Sequence, residues 1–158
     1  MTALMTRRSL LLAGGAAFLL AGCQSADMML AEGSGASVAA RNDVARARAA
    51  SGLERMEPSS RLERAAIEQA RLMAASGQMK HTAMRGRDFE TRIRGHGIGA
   101  PAAENLAHGR FDVGGVIDIW MNSPPHRRNM LDPRFKTYGL GYAAGSDGRN
   151  YWAMILGT

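Results

Sequence analysis

The sequence predicts an α+β domain in which helices pack on a small antiparallel sheet. Two observations indicate this class. Between residues 38 and 120, apolar side chains recur mostly at helical spacing, and the runs are interrupted by glycine and proline. Residues 137–157 are rich in aromatic and aliphatic side chains on both sides of Ser146-Asp147-Gly148, as expected for two antiparallel strands joined by a turn.

The first predicted elements are two helices. The alanine-rich segment 38–51 favours helix by propensity, and Gly52 ends it. Ser60 and Glu63 then form a capping-box pattern, and the apolar residues that follow are helically spaced up to about Ser76. We therefore expect Ser60 to cap the second helix.

Two further helices and one further strand are expected before the hairpin. Residues 88–94 form a short helical pattern, and Asp112 is placed to cap a helix that Pro124 stops. A strand around residues 99–106 would make the sheet three-stranded, whereas Pro101 and Gly109 also suit a solvated loop. Both interpretations of residues 102–110 remain open from sequence.

The N-terminus has the pattern of an export signal. Arg7 and Arg8 precede an uncharged apolar run over residues 10–21, which is short for a membrane-spanning helix. Leu-Ala-Gly-Cys, ending at Cys23, resembles the lipobox of bacterial lipoproteins, and the paired arginines suit either Tat or Sec export. The predicted organisation is a signal peptide (1–22), a lipidated Cys23 with a flexible tether (23–36), and one domain (37–158).

Composition limits the partners. The 158 residues are 46% hydrophobic and 22% charged, which suits one globular domain. Without the predicted signal, 18 basic and 14 acidic side chains remain, and the basic ones form no dense run. Nucleic acid is therefore not expected as a partner, and an anionic envelope surface suits the net charge of +4.

Chemical motifs are few. His81, Glu104 and His126 are 23 and 22 residues apart, so their spacing by itself predicts no metal site. Ser123 precedes His126 by three residues, but no Gly-x-Ser-x-Gly elbow surrounds it. Each histidine equally suits a structural role, at a helix end or in solvent. The remaining polar and aromatic residues with predicted roles are structural: His96 and His108 in solvated loops, Asn105 as a loop support, and Trp120 and Trp152 in the core.

The order of these segments resembles the CAP superfamily, and within it the bacterial SCP-like extracellular proteins. The resemblance is carried by Lys80-His81 after a helix, the Glu-Asn-Leu-Ala-x-Gly segment at 104–109, the Trp-Met-Asn-Ser-Pro-Pro-His-Arg-Arg-Asn-Met-Leu block at 120–131, and the two final strands. It implies an α-β-α sandwich, with a small antiparallel sheet flanked by helices, and a cleft whose floor carries histidines and acids.

The resemblance also implies site residues. His81, Glu104 and His126 fall at family positions that bind divalent cations, zinc among them. Ser123 stands where many eukaryotic members have a second glutamate, and Ala153-Met154 replaces a bacterial Thr-Gln pair.

Three functions follow from this pattern. The leading hypothesis is a lipid-anchored envelope protein without chemistry of its own, which binds a lipid, peptide or protein ligand in the His/Glu cleft, with or without a divalent cation. The first alternative is a metal-assisted hydrolase with Glu104 as general base. The second is a structural or interaction protein of the envelope. Gln24, where an aspartate would favour inner-membrane retention, points to the outer membrane.

Overall fold

The computed structural model describes residues 32–158, which form five helices and five strands. The helices are α1 Arg41–Ala49, α2 Ser60–Ser76, α3 Phe89–Gly95, α4 Val113–Asn122 and α5 Pro124–Met130. The strands are β1 Gly33–Gly35, β2 Glu57–Pro58, β3 Ala102–Gly109, β4 Thr137–Ala144 and β5 Asn150–Gly157. The predicted signal peptide, Cys23 and most of the predicted tether lie outside the described residues.

The strands form one sheet in the order β1-β4-β5-β3. All neighbours along this path are antiparallel, and the short β2 pairs with β4 in parallel. The predicted hairpin is β4 and β5, and residues 102–109 are a strand rather than a solvated loop. The last residues of the predicted tether, Gly33–Gly35, pair with β4, so the domain begins before residue 37.

Successive side chains of β5 point to opposite faces of the sheet, and each face packs against a separate layer of helices. Trp152, Met154 and Leu156 face a core that they share with α1, α4 and α5. Ala153 and Ile155, offset by one residue, face a second core against α2 and α3. This buries both faces of the strand and explains its nearly continuous apolar sequence. The predicted α-β-α sandwich is confirmed.

Side-chain caps confirm the predicted start of α4 and move the predicted starts of α3 and α2 by one residue. Asp88 accepts a hydrogen bond from the Thr91 N–H at 2.9 Å, and Asp112 caps α4 in the same way. In α2 the capping residue is Ser59, whose Oγ accepts from a backbone N–H, and Ser60 is already helical. Pro124 ends α4 as predicted, but it also starts α5, because its fixed φ suits the first helical position.

The predicted capping box fails because Glu63 is engaged elsewhere. Its Oε2 accepts a hydrogen bond from the backbone N–H of Ser37, at 3.0 Å, which holds the segment after β1 against α2.

Two glycines of β4 allow α2 to pack closely on the sheet. A Cβ at Gly139 would overlap the backbone of Glu63, and one at Gly141 would lie 2.7 Å from the Ile67 nitrogen. Glycine at both positions therefore permits the close packing of α2 on β4.

Within residues 32–158, no helix is both long enough and apolar enough to cross a membrane. The apolar side chains of the described helices are instead used in the two cores.

Candidate functional site

Strand β3 is at the edge of the sheet, and its alternating side chains reach both helical layers. Leu106 belongs to the core under α2 and α3, and Glu104 lies on the same face by the period of two. Asn105 points to the opposite face, where α5 lies. Consecutive residues of one strand thus contact elements from different layers.

Glu104 is a buried carboxylate held by two cationic side chains. Its side chain is 2% exposed, and that of Arg92 on α3 is fully buried. The guanidinium donates from Nη1 to Oε2 at 2.9 Å and from Nη2 to Oε1 at 3.0 Å. The Nδ1 of His81 lies 2.7 Å from Oε1. Since a carboxylate only accepts hydrogen bonds, Nδ1 carries a proton, which leaves Nε2 for a ligand.

Arg92 also positions the backbone that carries His81. Its Nη2 donates to the His81 carbonyl at 3.0 Å, and its Nε donates to the Arg87 carbonyl at 3.1 Å. Just before His81, the carbonyl of Lys80 accepts a hydrogen bond at 2.7 Å from the buried Gln69 of α2. The loop after α2 is therefore fixed at both ends of the segment that presents the imidazole.

His126 reaches the site from α5. Its carbonyl accepts a hydrogen bond from Asn105 Nδ2 at 3.1 Å, and Asn105 Oδ1 accepts one from Asn129 at 2.8 Å. Asn105 supports the backbone as predicted, although it does so from a strand. The Nδ1 of His126 is buried and has no hydrogen-bond partner among the described residues. This nitrogen is therefore a buried polar atom whose hydrogen bonding the described residues leave unsatisfied.

The two imidazoles titrate in opposite directions. The hydrogen bond with Glu104 raises the pKa of His81, and the Glu104 charge adds to this, whereas burial and Arg92 oppose it. Burial lowers the pKa of His126, and the charge of His81 lowers it further. As the pH falls, His81 is therefore protonated before His126, so a charged donor and a neutral imidazole coexist over part of the range.

The other predicted residues lie outside this network. Ser123 is the junction between α4 and α5, and no side-chain hydrogen bond from it to His81, Glu104 or His126 occurs in the described part of the chain. The remaining histidines differ from the solvated loop positions expected of them. His96 caps α3 and lies 2.7 Å from Glu68, and His108 is on β3, 3.3 Å from the sulfur of Met79.

Both tryptophans are buried, as expected for core residues. Trp120 has a second role at the free edge of β3, where its Nε1 donates to the Leu106 carbonyl at 3.0 Å. Asn129 lies 3.5 Å from the Glu104 carbonyl on the same edge. These contacts cover backbone groups that an edge strand would otherwise leave unpaired.

The arrangement does not fit a divalent cation held by His81, Glu104 and His126. Both oxygens of Glu104 already accept hydrogen bonds from the guanidinium of Arg92, and one is also bound to His81. Within residues 32–158, no three His, Cys, Asp or Glu side chains are arranged to hold a metal ion. We therefore derive no step through a metal at this site.

A cavity of about 890 Å³ lies beside α5, and none of the four residues predicted to form the cleft, His81, Glu104, Ser123 and His126, lines it. Its walls come from α4, α5 and the following loop, and include Met121, Leu131, Arg127 and Arg128. The His81 side chain, which is 61% exposed, lies outside this cavity.

Two residues of the network were not identified as functional from sequence. Arg92 lies in no motif, and the only signal for it is its place beside Ile93 on the buried side of a short helix. Asn129 belongs to the block that carries the family resemblance, but its role as a partner of Asn105 was not predicted.

Comparison with known proteins identifies the family. Residues 41–156 match CAP, the cysteine-rich secretory protein family. The chain belongs to this family. A match over 41 residues at 46% identity links it to the uncharacterized protein YkwD of Bacillus subtilis. That match spans 26% of this chain and only 16% of YkwD, so it concerns a small part of the longer protein.

Solved bacterial structures share the CAP fold. An outer surface protein of Borrelia burgdorferi superposes with a TM-score of 0.69 at 19% identity, covering 82% of this chain and 98% of that one. An extracellular SCP-domain protein of Bacillus anthracis gives 0.65 at 19% identity, over 77% and 40% of the two chains. A cysteine-rich secretory protein of Staphylococcus aureus gives 0.57 at 21%, over 76% and 37%. The predicted bacterial CAP resemblance is confirmed.

Proposed function

We propose that this CAP protein is held in the bacterial envelope by a lipid on Cys23 and binds a ligand at the site of His81, Glu104 and His126, the last of which follows the junction residue Ser123. The lipobox-like sequence supports the anchor. The names of two structural relatives, an outer surface protein and an extracellular protein, support an envelope or extracellular location.

One observation carries the binding proposal: a buried ion pair holds a mostly exposed imidazole in a fixed orientation. Glu104 and Arg92 are almost inaccessible, whereas the His81 side chain is 61% exposed. Burying a charge is costly unless it is paired. Such a network has a functional explanation if the Nε2 of His81, held in this orientation, binds a polar atom of a ligand.

The hydrolase alternative has one feature in its favour. A carboxylate that fixes the Nδ1 proton of a histidine leaves Nε2 able to accept a proton, as in acid–base catalysis. Glu104 itself is a poor general base, because Arg92 and His81 occupy both of its oxygens. Among the described residues, no Ser, Thr or Cys side chain is hydrogen-bonded to His81 as a nucleophile. Ligand binding therefore ranks above hydrolysis.

The test uses nuclear magnetic resonance of histidine side chains in the purified protein. The probes are a soluble peptide library and, separately, phosphatidylglycerol micelles. Binding at the cleft is expected to shift the signals of His81 and His126 and to leave that of His108 unchanged. Substitution His81→Ala should abolish the response, and His108→Ala, on the exposed end of β3, is the matched control.

Two results would change the proposal. Cleavage of library peptides that disappears in His81→Ala would favour the hydrolase. If neither probe moves the cleft histidines, while Cys23→Ser removes an envelope phenotype that His81→Ala and His126→Ala leave intact, the structural alternative is favoured. Labelling of cells with radioactive palmitate tests the anchor directly, since incorporation should be lost in Cys23→Ser.

A further inference from the structure

Three of the roughly four lone-pair positions of the Glu104 carboxylate already accept hydrogen bonds. Arg92 donates to both oxygens of Glu104, and His81 donates to one of them. The other donors of Arg92 bind the carbonyls of His81 and Arg87. The guanidinium thus donates four hydrogen bonds in its present position, and its fork matches the planar carboxylate.

A metal ion at Glu104 would require this arrangement to break. Zinc binds carboxylate oxygens at about 2.0–2.2 Å, closer than the hydrogen-bonded nitrogens that now surround Glu104. The arginine side chain is fully buried, so it has no route to solvent without a movement of α3. A divalent cation would also lie beside an uncompensated buried guanidinium, and like charges at such a distance repel strongly.

We propose that Arg92 takes the place of a divalent cation at Glu104, so that the cleft of this protein binds its ligand without a metal. The replacement of a cation by Arg92 follows from the described contacts alone, whereas ligand binding without a metal rests on the proposed function. The ligand is then held by the imidazole of His81, with Arg92 as the positioning residue that fixes Glu104 and thereby orients His81.

The same chain offers a matched comparison. Glu68 lies 2.7 Å from the Nε2 of His96, the same distance that separates Glu104 from the Nδ1 of His81. Glu68 also accepts a hydrogen bond from Arg87 at 2.8 Å. Arg87 donates through one nitrogen only, and its side chain is 54% exposed. It can move into solvent, so Glu68 can exchange its arginine contact for a zinc ion more readily than Glu104 can.

The test is a calorimetric titration with zinc chloride at neutral pH. The starting protein carries His96→Ala, which removes the comparison pair. This protein is expected to show no zinc binding that depends on Glu104. Adding Arg92→Met should create one zinc site, at least about tenfold tighter than any background binding, and a further Glu104→Gln should remove it.

Two results would overturn the inference. One is zinc binding by the protein with Arg92 intact that Glu104→Gln abolishes. The other is a folded Arg92→Met protein that gains no zinc site, which would show that Arg92 is not what excludes the metal. If Arg92→Met does not fold, Arg92→Gln gives the same comparison with a neutral hydrogen-bonding side chain.

A second readout needs no substitution. In the unaltered protein, zinc is expected to shift the side-chain resonances of His96 and to leave those of His81 in place, and the reverse result contradicts the inference. These outcomes do not depend on finding a ligand. Failure of the proposed function would appear as cleft histidines that ignore peptides and lipids, with the zinc results unchanged.

Discussion

Removal of either partner of the buried Arg92–Glu104 pair should destabilise the protein strongly, and removal of both should cost little more. The two hydrogen bonds of 2.9 and 3.0 Å place the charge centres about 4 Å apart. At an effective dielectric constant of about 20, the attraction is about 4 kcal/mol. Arg92→Met and Glu104→Gln each leave a buried charge, and each should lower the free energy of unfolding by about 3–5 kcal/mol.

A double-mutant cycle measures this coupling. Urea unfolding, followed by circular dichroism and by the fluorescence of the buried Trp120 and Trp152, gives the free energies of the four proteins. The loss of unfolding free energy in the double variant is expected to be smaller than the sum of the two single losses by about 3 kcal/mol. The control cycle uses Lys136→Met and Glu54→Gln, an exposed pair at 3.1 Å whose coupling should stay below about 1 kcal/mol.

A coupling energy between Arg92 and Glu104 as small as that of the exposed control pair would refute the reasoning. It would mean that Arg92 and Glu104 are each stabilised by other groups, and that the short distances between them do not reflect an electrostatic dependence. The exclusion of metal by Arg92 would then lose its energetic basis.

Three further predictions concern pH and packing. Burial raises the pKa of Tyr138 from 10.0 to about 12. The contribution of its neutral phenol to the free energy of unfolding should therefore be complete below pH 10 and fall by about 3 kcal/mol by pH 12, relative to Tyr138→Phe. The same loss of stability between pH 10 and 12 in both proteins would contradict this. Gly139→Ala should cost about 1–3 kcal/mol or more in urea unfolding, because its Cβ meets α2, whereas Gly99→Ala, with open space around it, should change stability by less than about 0.5 kcal/mol. By magnetic resonance, the pKa of His81 should fall towards 6.5 in Glu104→Gln, and an unchanged value would show that the hydrogen bond does not raise it.

Most of the fold could be predicted because its signals are local. The turn between β4 and β5 and the cap Asp112 act within a few residues, and each is found where the sequence predicts it. The start of α2 was misassigned because Ser59 and Ser60 both have capping chemistry. Only the tertiary contact of Glu63 with Ser37 decides between them.

The site could be predicted only in part, because it is assembled from distant elements. His81, Glu104 and His126 were named through the family resemblance, since their spacing contains no periodic signal. Arg92 was missed because an arginine on a short helix normally lies in solvent. Its burial depends on meeting the carboxylate of another element, which no local pattern encodes.

The strand order places the two ends of the proposed function at opposite margins of the sheet. The described chain enters the sheet at β1, whereas Glu104 of the histidine site is on β3 at the opposite edge. Three interstrand spacings separate these edges, a distance of about 14 Å. A molecule bound at His81 would therefore lie at the edge farthest from β1, so occupation of the site and attachment of the domain through the residues before β1 need not obstruct each other.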